Sequence, residues 1–554
     1  MYSLRKTLIT TAALTALTLC GIVSAGPKVA VASKDSKGFI VQAHSAQEAA
    51  RAVRAVGARA TRDLPIIDAV AAKLTPAQAA RLRESAGLDV FPDSNVGTQG
   101  GPDAWNMPVM GVDRLHAQGI NGAGVTVAVI DTGVGNGNDS EPVRLNPANG
   151  LRVLATYDAI GNASPSRVFD TNGHGTHVSS IIVNSDTSDV SYKPQGIAPW
   201  ANLVWVRAFD ANGTGTYSNV IAGLNWILAN KATYNIRVLN LSFGSRPQSF
   251  YWNDPLNKAV MKLWQAGVVV VTSAGNFGPT PQTISVPGNV PYVITVGAMT
   301  DNFTPGTTAD DGVASFSSTG PTFEGFVKPD VVAPGGHMVG LMEKKTMTLA
   351  VQHPQFATAD SATFTMSGTS QAAAAVSGTV ALMLQANPSL TPDQVKCRLM
   401  ASASSAVKSD GKAAYSVFQQ GTGMVSAYNA VYSQAANCAN QGLNIANDIA
   451  GTQHFGGPAH QDATTRAFYV VDSIGNRLSS DGYLWNQQFA RNQGYLWNNG
   501  YLWNQGYLWN NGYLWNQGYL WNNGYLWNNG YLWNQSTVAP ASSPAATESW
   551  NVQE

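Results

Sequence analysis

The chain is expected to be an α/β protein: a parallel sheet with helices on both faces, preceded by a small α+β domain. Two observations predict this. Between residues 101 and 440, short and largely apolar runs, such as Val125 to Ile130 and Val268 to Ser273, alternate with helix-like stretches. Strands without polar alternation suit a sheet buried on both faces, and alternation with helices suits parallel crossovers. The chain also holds 54 glycines in 554 residues, as tight turns and close backbone approaches require.

The chain divides as follows. Arg5 and Lys6 precede an uncharged apolar run, Leu8 to Val23, which is short for a membrane span. Val23-Ser24-Ala25 then offers a small-residue cleavage site, so residues 1–25 read as a signal peptide. Leu19 before Cys20 is not small, which argues against a lipoprotein. Secretion, to the medium or the cell surface, is the expected localisation. Residues 26–100 read as strand, helix, strand, helix, strand. Gly38–Gln42 is strand-like, and Ser45 caps a helix from Ala46 to Val56. Leu64–Leu74 leans to β. Thr75-Pro76 opens a helix to Glu84 with proline in its first turn, and Leu88–Pro92 closes as a strand.

In 101–440 the strands are Val125–Ile130, Leu203–Arg207, Val238–Ser242, Val268–Ser273 and Val293–Val296. The helices are His174–Val183, Tyr217–Ala229 and the Ala-rich Ser370–Gln385. Residues 441–481 are Gly- and Asn-rich without a clear period and read as a linker. From Gly482 a hexad, Gly-Tyr-Leu-Trp-Asn-Gln/Asn, repeats to residue 535. In a strand its Tyr and Trp would share one face. That composition fits contact with a cell surface, a polysaccharide or another copy, or a sticky low-complexity tail. Residues 536–554 are Ala-, Ser- and Pro-rich and expected to be disordered.

Composition narrows the function. Charged residues are 12 % of the chain, against about 25 % in average soluble proteins. Positive and negative side chains balance at 33 each. No basic face is implied, which excludes a nucleic-acid partner. Beyond the signal there are two cysteines, Cys397 and Cys438. They are compatible with one disulfide in an oxidising compartment, or with two buried free thiols.

Three segments carry the chemistry. Val125-Thr-Val-Ala-Val-Ile-Asp131-Thr-Gly133 delivers an aspartate at the end of a buried strand. Asn172-Gly-His174-Gly-Thr-His177 is a glycine-rich entry to a helix. Ser367-Gly-Thr-Ser370 sets a serine at the start of the Ala-rich helix. Each alone is weak: an Asp-Thr-Gly also marks aspartic proteases, two histidines suggest metal, and Gly-Thr-Ser is often a helix cap. There is no second Asp-Thr/Ser-Gly and no HExxH. Together, at element ends of one α/β domain and in the order Asp, His, Ser, they suit a nucleophile–base–carboxylate arrangement.

These segments, with Ser273-Ala-Gly-Asn276 and Lys328-Pro-Asp-Val-Val-Ala-Pro-Gly335, resemble the subtilisin-like serine peptidases over most of residues 101–440. The resemblance implies a three-layer fold and a serine endopeptidase acting on proteins or peptides. Asp131, His174 and Ser370 form its triad, with Asn276 and the Ser370 N–H as oxyanion donors. It aligns His174, rather than His177, with the catalytic histidine. Ser242, Phe243 and Gly244, and Ser273, Ala274 and Gly275, resemble the substrate-lining segments, whose backbones would pair with an extended peptide. Residues 26–100 resemble the family's inhibitory propeptide, which assists folding, occupies the cleft and is cut off near residue 100. No cofactor is required for the chemistry. The family's structural calcium is compatible with the chain, but no ligand run assigns it. Gln371, Ala374 and Ala375 depart from the usual Met, Pro and His, and Met338–Thr363 looks like an inserted surface loop.

Overall fold

In the computed structural model, the described residues are 36–64, 68–85, 87–92, 106–135, 140–186, 195–304, 308–343, 347–357, 362–408, 412–471, 477–478, 501–502 and 544–547. The expected signal peptide lies outside them. So do the hexads except Tyr501–Leu502, and the tail except 544–547. The chain forms two compact units, divided between Gly97 and Thr98.

The first unit contains β1 (Lys37–Gln42), α1 (Ala46–Ala55), β2 (Ala60–Leu64), β3 (Ala69–Leu74), α2 (Pro76–Arg83) and β4 (Asp89–Pro92). Its strands form one antiparallel sheet in the order β2-β3-β1-β4. Ser45 and Thr75 cap the two helices, Thr75 through a capping box with Gln78. Val41, Val53, Val70, Leu74 and Leu82 make the core. One strand was not expected: the apolar stretch from Leu64 to Leu74 is only β3, and the charged Ala60–Leu64 pairs beside it as β2.

The second unit continues with α3 (Asn106–Met110), α4 (Val112–His116), β5 (Thr126–Asp131), α5 (Glu141–Arg144), β6 (Val153–Asp158) and α6 (His174–Val183). Then come β7 (Asn202–Arg207), β8 (Thr214–Thr216), α7 (Tyr217–Asn230), β9 (Ile236–Leu241), β10 (Phe243–Gly244), α8 (Pro255–Gln265), β11 (Val269–Ser273), β12 (Ile294–Thr300), β13 (Gly312–Val313) and β14 (Val331–Pro334). After β15 (Met338–Leu341), α9 (Thr348–Gln352) and β16 (Thr363–Met366) runs the long α10 (Thr369–Ala386), followed by α11 (Pro392–Ser402), α12 (Val417–Gln420), α13 (Ala427–Tyr432) and α14 (Ile445–Ile449). Short strands β17 (Phe455–Gly456), β18 (Ala459–Gln461), β19 (Phe468–Val471), β20 (Arg477–Leu478), β21 (Tyr501–Leu502) and β22 (Pro544–Thr547) complete it.

The main sheet has the order β13-β12-β11-β9-β5-β7-β6, with β14 also on β12. All its pairs are parallel except the edge strand β13. The chain leaves β5 for β6 and β7 on one side, then builds β9, β11, β12 and β14 on the other. The sheet therefore reverses direction at β5, where α/β proteins place their chemistry. Helices α6 and α10 pack together, as do α7 and α8. Every residue of β5 and α6 is buried, and α10 is buried from Thr369 to Leu384. A helix apolar or small on all sides is a core helix, which explains the run of alanines.

Two expectations need correction. The stretch Met338–Thr363 is not a plain surface loop: β15 pairs antiparallel with β16, and Met342, Met347, Ala350, Phe364 and Met366 form a small core. Residues 441–471 are not a linker. Phe455 and Val470 join the main core, and Asp448 accepts from the hydroxyls of Tyr251 at 2.6 Å and Tyr292 at 3.1 Å. Cys397 and Cys438 form a disulfide, tying α11 to the segment after α13.

Candidate active site

Asp131 is the last residue of β5 and fully buried. Its Oδ1 accepts from the Thr132 N–H at 2.8 Å and lies 2.8 Å from His174 Nδ1. His174 opens α6 and is 2 % exposed. With Nδ1 held by the carboxylate, Nε2 is the ring atom left to face a reacting hydroxyl. Ser370 is the second residue of α10 and 1 % exposed. Its Oγ donates to the Ser242 carbonyl at 3.1 Å. As a first-turn residue, its N–H has no acceptor within the helix.

The histidine end is held by a residue the sequence did not single out. Asp170 accepts from the N–H groups of Asn172, Gly173 and Thr176 at 3.0, 2.8 and 2.8 Å, and from the hydroxyls of Thr132 and Thr176 at 2.9 and 2.6 Å. Burial pushes its carboxyl above the usual carboxylate range, and these donors oppose that. Asn172 Oδ1 accepts the His174 N–H at 3.1 Å. Gly175 keeps this turn against β5, since a Cβ there would lie 2.5 Å from the Gly133 carbonyl oxygen. The signal for Asp170 is present in the sequence as Asp-Thr-Asn-Gly, an aspartate placed to accept backbone N–H groups two and three residues on. The hairpin buttresses the same turn: Thr348 and Leu349 donate from their N–H groups to the carbonyls of Thr171 and Asn172, both at 3.0 Å.

The serine end is held from afar. Thr369 donates from its N–H and Oγ1 to Asn276 Oδ1 at 3.0 and 2.9 Å. Its Oγ1 accepts the Gly275 N–H at 3.2 Å. The Asn276 amide is thereby oriented with Nδ2 beyond Thr369, and Gly368 keeps that side open: a Cβ there would come within 3.3 Å of Nδ2. Ser242 Oγ donates to the Ser370 carbonyl at 2.8 Å and accepts from Asn240 Nδ2 at 2.9 Å, and Ser377 Oγ donates to Asn240 Oδ1 at 2.8 Å. This chain, spread over β9 and α10, was also missed, because no local motif joins residues so far apart.

His177 lies one turn into α6 and is fully buried. Its Nε2 is 3.0 Å from the Phe364 carbonyl, and its Nδ1 is 3.5 Å from Gln371 Nε2. A neutral ring donating from Nε2 and accepting at Nδ1 satisfies both. Burial pushes its pKa down to about 4, with the neighbouring His174 charge acting in the same direction. Gln371, a departure from the family pattern, thus links the serine helix to the histidine helix.

The two expected substrate segments differ. Phe243 buries its ring against Phe209, 5.0 Å between centroids, so β10 offers backbone. The Ser242 side chain is committed to Ser370 and Asn240. In Ser273–Gly275 the backbone is used internally: Ala274 donates to Val296 and accepts from Ser285, both at 2.9 Å, and the Gly275 carbonyl accepts from the Ser318 N–H at 2.8 Å. This segment can line a groove but cannot pair as a strand, contrary to the strand addition expected of it. Among the described residues no group of three or more His, Cys, Asp or Glu side chains is placed to hold a metal ion, so calcium stays unassigned.

A comparison with protein families matches residues 122–423 to the subtilase family, Peptidase_S8. Serine protease AprX of Bacillus subtilis is 38 % identical over 328 residues, 58 % of this chain and 69 % of that protein. Subtilisin DY of Bacillus licheniformis is 31 % identical, covering 54 % of this chain and 90 % of that one. An extracellular serine proteinase of a Thermus species is 32 % identical, covering 63 % and 75 % respectively. The matched segment contains all of β5, α6, β11 and the start of α10, and with it every residue of the site just described; the chain belongs to the subtilase family and is a serine-type endopeptidase.

Proposed function

We propose that the chain is a secreted endopeptidase that cleaves peptide bonds through an acyl-enzyme on Ser370, with His174 as base and Asp131 orienting it. The observation that carries this is the 2.8 Å Asp131–His174 contact at the end of β5, beside the helix whose second residue is Ser370. Ser370 Oγ attacks the carbonyl carbon while His174 Nε2 takes its proton. Asn276 Nδ2 and the Ser370 N–H receive the oxyanion. The C–N bond then breaks, and His174 returns the proton to the leaving amine. Water, activated by His174, hydrolyses the ester and restores Ser370. Proteins or peptides are the substrates, entering as an extended strand against β10. Residues 26–100 act as an inhibitory propeptide that the enzyme removes near residue 100; the boundary between compact units at 97 and 98 supports this.

The test is labelling by a fluorophosphonate, read by peptide mass. Label on Ser370 is expected. Ser370→Ala should lose it, lower kcat by roughly 10⁶-fold, and accumulate as uncut precursor. Label elsewhere, or mature-sized protein from that variant in a protease-free host, overturns the proposal.

A further inference from the structure

Two short strands flank the approach to Ser370, and they do not pair with each other. β8 and β10 are separated by β22, which runs antiparallel to both. On one side Ala546 faces Gly244 and Thr547 faces Phe243. On the other, Pro544, Ala545 and Ala546 face Thr216, Gly215 and Thr214. The next residue along from Phe243 toward the reaction centre is Ser242, whose carbonyl accepts the Ser370 hydroxyl. The strand therefore points its carboxyl end at the nucleophile, in the sense a substrate must run to present the bond that follows its paired residues.

We propose that the C-terminal segment Pro544–Thr547 is a resident occupant of the substrate groove, a strap of the chain's own backbone that competes with incoming peptide. This rests on the reading of Ser370 as nucleophile and of β10 as the substrate edge. Two strand edges facing one gap leave rows of N–H and C=O groups to be satisfied, and an added strand satisfies both rows at once. The sequence suits the position. Pro544 stands at the first residue of the strand, where a missing N–H is tolerated. Ala545 and Ala546 are small, and no charge occurs from Ser536 to Thr547. The stretch from Trp503 to Ser543 connects β21, which pairs with β17, to the strap and sets the length of the tether. A long tether gives an effective concentration of about a millimolar or less, enough to raise an apparent KM without abolishing turnover.

The experiment compares the full chain with a chain ending at Ser543, each checked by intact mass, on a chromogenic tetrapeptide. The shortened chain should show a KM at least roughly threefold lower at unchanged kcat. Ala546→Pro in the full chain, which removes the central N–H of the strap, should lower KM in the same way. A synthetic peptide spanning 541–550 should inhibit the shortened chain competitively. Equal KM values with residues 544–547 present by mass, or a full chain whose mass ends before Pro544, overturn the strap. Titration of Ser370 by fluorophosphonate separates the two readings. Full titration with equal KM values sinks the strap alone, whereas no titration sinks both.

Discussion

The two helix ends that meet at the reaction centre are built in opposite ways. The start of α6, carrying His174, is organised by its own neighbourhood: Asp170 gathers five donors, four of them from the six residues that follow it. The start of α10, carrying Ser370, has no side-chain cap from its own segment. It is held by Asn276, Ser242 and, through Asn240, Ser377, all brought in by the tertiary fold. A base must keep one orientation, and a local cage supplies that. A nucleophile's helix end must leave its N–H groups available for the oxyanion, so its supports bind the carbonyl and the flanking threonine instead. Disturbing the first end should act mainly on stability, and disturbing the second mainly on turnover.

The largest effect is expected at the serine end. Asn276→Ala removes both the anchor for Thr369 and the Nδ2 donor. Turnover should fall by about 10²–10³-fold with KM little changed, the loss typical of one oxyanion donor. Steady-state kinetics on a peptide substrate decide it. A fall carried by KM would mean that Asn276 serves substrate binding and that the two ends do not divide stability from turnover. At the histidine end, Asp170→Ala strands buried donors and should cost about 3 kcal/mol of stability, part of the loss being offset because a buried carboxylate is itself costly. Denaturant unfolding in a Ser370→Ala background, free of self-digestion, gives the number. An unchanged midpoint would refute the local cage.

The same contrast explains what was legible in the sequence. β5, β11 and α10 were readable because a largely apolar or alanine-rich run marks a buried element, and α6 because of its glycine-rich entry; each triad residue sits at the end of one of these elements. Asp131, His174 and Ser370 also carry local glycine signatures. What stayed hidden is held by distant partners. β2, Ala-Thr-Arg-Asp-Leu, has no β pattern and is strand only because β3 lies beside it. Residues 441–471 look like a linker until Asp448 meets Tyr251, Tyr292 and His454. Asn240 and Ser377 are unremarkable letters in a strand and a helix, joined only when α10 crosses β9.

His174 and His177 sharpen the comparison further, since both are on α6 with opposite fates. Burial holds the folded His177 pKa at about 4, below the ordinary value of 6.5. Above pH 6.5 the ring is neutral in both folded and unfolded chains, and nothing is lost. Between 6.5 and 4 the unfolded chain takes up a proton that the folded chain refuses, so stability falls as the pH falls, by up to about 3 kcal/mol for this site. In the Ser370→Ala background, the drop in Tm from pH 7.5 to 4.5 should shrink in His177→Gln. An identical drop in both proteins would show that other groups govern acid lability.

The smallest effect tests the long-range chain itself. Ser242→Ala deletes the hydroxyl between Asn240 and the Ser370 carbonyl, while the backbone carbonyl that receives Ser370 Oγ stays in place. Nothing that touches a substrate is removed, so Ser242 acts here as a positioning residue. The hydroxyl makes two buried hydrogen bonds, and the one that holds the Ser370 carbonyl is worth about 1–1.5 kcal/mol. If it holds the helix start in register, the loss should appear as a roughly tenfold lower kcat at unchanged KM, matched by a slower rate of fluorophosphonate inactivation. If it serves packing alone, Tm should fall while both rates stay at the wild-type value. Because Asn240 and Ser377 belong to the same chain of bonds, Ser377→Ala should produce the same kcat effect and add little to Ser242→Ala in the double variant. Full additivity would mean that the two serines act separately and that no single support runs from β9 to the nucleophile.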